Sequence, residues 1–293
     1  NVIPHVYIPH TICGLSYWIP NLYQHVYLAD DEEGPENISH IFRILIRLSV
    51  RETDFKAVYM QYVWLLLLDD GRLTDIIVDE VINHALERDS ENRDWKKTIS
   101  LLTVLPTTEV ANNIIQKILA KIRSFLPSLK LEAMTQSWSE LTILVKISIH
   151  VFFETSLLVQ MYLPEILFIV SLLIDVGPRE LRSSLHQLLM NVCHSLAINS
   201  ALPQDHRNNL DEISDIFAHQ KVKFMFGFSE DKGRILQIFS ASSFASKFNI
   251  LDFFINNILL LMEYSSTYEA NVWKTRYKKY VLESVFTSNS FLS

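Results

Sequence analysis

Glycine is scarce in this chain, with six in 293 residues, and cysteine scarcer still, with two. The phosphate loop Gly-x-x-x-x-Gly-Lys, the dinucleotide turn Gly-x-Gly-x-x-Gly and the hydrolase elbow Gly-x-Ser-x-Gly are all absent. No stretch of backbone is therefore bare enough to cradle a phosphate in those ways, or to present a serine on a sharp strand-to-helix turn. Tight hairpins need residues at positive φ, and strict alternation of apolar and polar residues is as hard to find as glycine, so β-structure lacks both its turns and its strands. Cys13 and Cys193 are too few and too far apart for a disulfide framework and fit a reducing compartment, so the expected location is the cytoplasm. A formal charge of −7 gives no overall attraction for nucleic acid. The chain opens at Asn1 without a basic leader, an apolar core and a small-residue cleavage site, and is expected to be an excised piece of a longer protein.

What the chain has in quantity is apolar residues, 49% of the total, recurring at helical spacing. The phrases Ile12 to Tyr27, Asn37 to Val50, Asp54 to Leu68, Thr74 to Leu86, Asp94 to Leu105 and Glu109 to Leu126 read as helices. After a loop at 127–136 come Ser137 to Val159, Pro164 to Val176, Arg179 to Ala197, Gln204 to Phe217, Ser242 to Glu263 and Tyr268 to Phe286. Ser137 and Glu140 have the spacing of a capping box, and Pro164 and Gly177 sit where a helix would start and stop. Roughly a dozen helices with short connections predict an all-α chain, a HEAT- or armadillo-like α-solenoid in which helix pairs stack in a row. The expected organisation is one segment, 1–293, with sub-units 1–126 and 137–293 on either side of the loop.

The run Ile147 to Ile174 is apolar enough to raise the question of a membrane span. It carries His150, Glu154, Gln160, Pro164 and Glu165, and two carboxylates in hydrocarbon are costly. Two consecutive buried helices, broken at Tyr162 to Pro164, are the expectation.

Three groups of residues could carry chemistry. His186, Cys193 and His194 lie on one predicted helix; the histidines are eight residues apart, ~12 Å along the axis, too far to share a metal ion. Cys193 and His194 point about 100° apart around that helix, which argues against a dyad. Leu181, Leu185, Leu188, Val192 and Leu196 form its apolar stripe, widened by Leu189 and Cys193, so the thiol and imidazoles are expected to be packing residues. His5, His10, Cys13 and His25 are dense but match no zinc spacing, so no metal and no cofactor is expected. The third group is the basic stretch Trp273 to Glu283. Lys274, Arg276, Lys278 and Lys279 stand opposite Trp273, Tyr277 and Tyr280, an amphipathic helix whose basic side could meet a phosphate-bearing partner such as an anionic lipid head group.

The phrase "VGPRELRSSLHQLLMNVCHSL" (Val176 to Leu196) resembles the helical region of neurofibromin and its fungal homologues, the inhibitory regulators of Ras. "KVKFMFGFS" (Lys221 to Ser229), "WSELTILVKI" (Trp138 to Ile147) and "GLSYWIPNLYQHVY" (Gly14 to Tyr27) resemble further family phrases in the same order, from about Leu15 to Phe244. Ser139 and Glu140 stand where the family shows two aspartates. The resemblance implies a segment of the C-terminal HEAT-type solenoid of a giant Ras GTPase-activating protein, after its lipid-binding module. It implies protein partners, contacts with other domains of the same protein, and a homodimeric parent. Ras would be engaged only through a separate domain, and membranes only peripherally. No catalytic residue carries over: "IFRILIRL" (Ile41 to Leu48) has arginines but not the activating Phe-Leu-Arg pattern. The expected role is a non-catalytic helical scaffold, with a peripheral membrane or phosphate-binding module as the alternative.

Overall fold

A computed structural model describes residues 7–24, 33–69, 73–86, 97–98, 101, 107–198, 204–219, 275–276 and 279. Among them every regular element is helical and none is a strand. The expected helix Ser242 to Glu263 and the phrase Lys221 to Ser229 lie outside the described residues, as does most of Asp94 to Leu105 and of Tyr268 to Phe286. The chain forms two compact units, 1–114 and 115–293.

In the first unit, α1 (Ile8–Leu15) is followed by a 3₁₀ turn at Ile19–Asn21. The single helix expected over Ile12 to Tyr27 is thus broken after Leu15, and Pro20, which has no amide to give the Ser16 carbonyl, sits in the 3₁₀ turn that follows. Helix α2 (Gly34–Arg51) starts three residues earlier than its apolar pattern suggests, with a proline in its first turn. Proline suits that place, where an amide has no partner to lose. The next helical stretch runs as α3 (Lys56–Tyr59), a π turn (Met60–Trp64) and α4 (Leu65–Asp69). Helix α2 packs against α5 (Thr74–Leu86), and Ile38, Phe42, Leu45 and Ile46 of α2 and Ile77, Val78, Val81 and Ile82 of α5 are all buried. The π turn puts Trp64 into this core, where its indole Nε1–H donates to Ser49 Oγ at 3.1 Å and Ser49 donates to the Leu45 carbonyl at 2.8 Å. A buried indole is tolerable only with such an acceptor. Helix α6 (Thr107–Phe125) runs through the point that divides the two units.

The second unit holds α7 (Thr135–Val151), α8 (Ser156–Val176), α9 (Arg179–Ala197) and α10 (Gln204–Ala218). Helix α9 packs against α7, α8 and α10. The stripe expected on it is all core: Leu181, Leu185, Leu188, Leu189, Val192, Cys193 and Leu196 are buried, each large aliphatic contributing about 1.5–3 kcal/mol. The long apolar run does form two helices, but the break expected at Tyr162 to Pro164 falls instead at 152–155, and Pro164 lies inside α8. There Glu154 takes φ 55, a left-handed conformation closed without glycine. Proline inside a helix costs a hydrogen bond, and the apolar surroundings of α8 hold it helical regardless. Ser156–Leu173 is, among the described residues, the one helix long and apolar enough to cross a membrane, and 61% of it is buried by the protein itself. Helix α7 begins at Thr135, so Ser137 sits within the first turn rather than before it, and Glu140 pairs with Lys121 Nζ.

Gly177 ends α8 as expected, for a reason other than positive φ: its φ is −72, but a Cβ there would lie 2.8 Å from the Leu173 carbonyl oxygen and 3.0 Å from Leu181 Cδ2. Its amide donates to that carbonyl at 2.9 Å. Pro178 then opens α9.

Candidate functional site

A helix end leaves its last carbonyls without amide partners, and a helix end that is buried must find donors elsewhere. The C-terminus of α7 is such an end. Several carbonyls at and just beyond it have partners: Ser148 accepts from the Phe152 amide at 2.9 Å and Val151 from Thr155 Oγ1 at 3.0 Å. Ile149 accepts from Asn191 Nδ2 at 2.9 Å and Phe152 from Ser195 Oγ at 2.8 Å. Asn191 and Ser195 are four residues apart and so stand on one face of α9. Ser195 and Phe152 are both fully buried. The hydroxyl and amide of the phrase Asn191 to Leu196 therefore act as donors to α7's last turn.

His186 does the same for α10. Its ring, 7% exposed, donates from Nε2 to the carbonyl of Phe217 at 2.9 Å, one residue before α10 ends. A ring nitrogen held this way is a proton donor to a carbonyl and is not presenting a lone pair to a metal. Cys193 lies among the core leucines, and burial pushes its thiol up to about 12, so it is neither a thiolate nucleophile nor a ready ligand near neutral pH. His194 faces outward and stacks on the half-exposed ring of Phe153, with centroids 5.8 Å apart and planes 21° apart. The three residues that suggested a metal site or dyad are thus directed to three different neighbours. In α1, His10 is exposed and Cys13 half-buried; His5 and His25 lie outside the described residues.

Arg43, in the arginine-containing phrase of α2, is also engaged. It forms a two-pronged pair with Glu80 of α5, Nε to Oε2 at 2.8 Å and Nη2 to Oε1 at 3.1 Å, the carboxylate being 7% exposed. The planar fork of arginine matches a carboxylate in this way and ties α2 to α5.

Of the basic group Lys274, Arg276, Lys278 and Lys279, Lys274 and Lys278 lie outside the described residues and Lys279 is exposed. Arg276 reaches α8: Nη1 donates to the Met161 carbonyl at 3.1 Å and Nη2 pairs with Glu165, whose side chain is only 1% exposed. Sequence spacing gave no hint of this partnership, because the two residues are 111 apart.

No family model matches the chain. The inhibitory regulator protein IRA1 of Saccharomyces cerevisiae is 59% identical to it over 293 residues, all of this chain and 10% of the relative. The chain spans about a tenth of the length of that relative. The match takes in residues 264–293, where the motifs alone found no counterpart. Identity this high over all 293 residues makes the chain similar to one tenth of that inhibitory regulator.

Proposed function

We propose that this chain is a non-catalytic, HEAT-like solenoid segment that scaffolds a Ras GTPase-activating protein through helix-face contacts. In this reading it belongs to a cytoplasmic, homodimeric parent and restrains Ras signalling by holding other domains of that parent in place, while Ras meets a separate domain. The observation that carries the proposal is the 59% identity across the whole chain to one tenth of an inhibitory regulator. The use of polar side chains supports it: His186, Asn191 and Ser195 of the most distinctive phrase go to helix-end carbonyls, as in a scaffold that must bury its joints. The packing of α9 against α7, two elements back, is of the kind that stacks one helix pair on the next and favours the solenoid. Arg276 spends its charge on Glu165, which favours the scaffold over a phosphate-binding role for the basic stretch.

Two measurements test this. The isolated chain, added to Ras loaded with GTP, should leave the hydrolysis rate unchanged; acceleration would refute the non-catalytic assignment. Deleting the segment from the full-length parent should leave the purified parent able to accelerate GTP hydrolysis by Ras while lowering Ras restraint in cells and shifting the parent's sedimentation. A deletion that changes neither would refute the scaffold.

A further inference from the structure

We propose that Arg276 is a strap, a guanidinium that fastens residues 275–276 to the proline-interrupted turn of α8 and keeps that turn closed. Pro164 has no amide to give Gln160, and its ring presses on that carbonyl, so the turn from Gln160 to Pro164 is the weak point of a 21-residue helix. Arg276 lands on this turn, taking the carbonyl of Met161 and the carboxylate of Glu165 on either side of the proline. The acceptors are one helical turn apart and different in kind, a carbonyl and a carboxylate. Arginine, with rigid donors on separate nitrogens, serves both at once, whereas an ammonium is a single point charge. Glu165 is buried while Arg276 is 38% exposed, so the strap is fastened from the solvent side, and withdrawing it would leave a buried carboxylate without this ion pair.

Hydrogen exchange followed by mass spectrometry on the whole 293-residue chain tests the strap. In Arg276→Met, exchange should quicken by about tenfold or more over 160–168 and over 275–279, while α2 and α5 keep their protection. Arg276→Lys, which keeps the charge but not the fork, should give a smaller rise of about threefold in the same two segments and remains informative if the methionine variant does not fold. The decisive arm is Pro164→Ala, which restores an amide to Gln160: in that background Arg276→Met should no longer quicken α8, while 275–279 still exchanges fast. Unchanged protection of 160–168 in both Arg276 variants would overturn the proposal, and so would an equal loss of protection at α8 with proline or alanine at 164.

Discussion

Replacing Ser195 by alanine is the sharpest single test of the carbonyl accounting at the α7–α9 joint. The substitution removes one oxygen from a site with no solvent access and changes little else: Ser195 and Phe152 are fully buried, and the lost bond is 2.8 Å long. Deleting a hydroxyl opens almost no cavity, so the cost comes chiefly from a carbonyl that loses its donor away from water, about 1–3 kcal/mol. For a unit the size of 115–293, about 2 kcal/mol corresponds to a fall in Tm of about 4–8 °C. Scanning calorimetry of the purified chain reads this directly, and the urea midpoint should fall with an unchanged slope. Ser183→Ala is the control on the same helix: its hydroxyl also bonds a carbonyl, that of Glu180 at 2.9 Å, but at an exposed position where water replaces it, so the change should stay within about 0.5 kcal/mol. If Ser195→Ala costs no more than Ser183→Ala, the joint does not depend on side-chain donors, and the reading of Asn191 and Ser195 fails with it.

Gly177→Ala should destabilise the α8–α9 turn by about 1–3 kcal/mol, because the new methyl meets a backbone oxygen at 2.8 Å that cannot swing away; an alanine variant melting with the wild type would show that the close approach is not needed. Burial raises the Cys193 thiol from 9.0 to about 12, so the unfolded chain sheds this proton first and stability falls as pH climbs from about 9 toward 12, by up to about 1.4 kcal/mol per pH unit. Urea titrations from pH 8 to 11 should show that decline, and Cys193→Ala should flatten its thiol component; an unaltered slope would mean the thiol does not titrate as described. A thiol dye at pH 8 should label Cys13 in the folded protein and Cys193 only on unfolding. Glu154 sits at φ 55, so Glu154→Gly should be neutral or stabilising by up to about 1 kcal/mol, whereas Glu154→Val, β-branched in the left-handed region, should cost more than about 1 kcal/mol; thermal melts in which valine equals glycine would remove backbone strain from the account of this corner.

The helices were legible wherever a stripe of leucine, isoleucine and valine recurs at three and four, as on α9, because burial of that stripe is what makes the helix. Their ends were less so. Pro20 lies inside an apolar phrase whose helix breaks ahead of it, whereas Pro164 reads as a helix start and is carried inside one. The difference is energetic: around Pro164 the flanking Leu163, Ile166 and Leu167 are fully buried, enough apolar surface to offset one missing hydrogen bond. The true break at 152–155 carries neither proline nor glycine, and only a glutamate held at positive φ by its surroundings marks it. Local chemistry cannot announce a turn that tertiary packing imposes.

The metal-like pattern of α9 is excluded by spacing, but the work its residues do is not visible in the sequence. Spacing alone showed that His186 and His194 are too far apart to share an ion and that Cys193 belongs to the apolar stripe. What spacing could not show is the acceptor, since the carbonyls of Ile149, Phe152 and Phe217 lie some thirty to forty residues away along the chain. A helix that packs against three others meets their ends as well as their sides, and ends bring bare carbonyls that apolar residues cannot satisfy. Polar residues therefore recur on α9 at the level of the C-termini of α7 and α10, and a histidine, an asparagine and a serine are small or flat enough to fit there. In an all-helical chain, an imidazole, amide or hydroxyl beside the core stripe is first to be matched with the nearest helix C-terminus, and only one left over from that accounting points to chemistry.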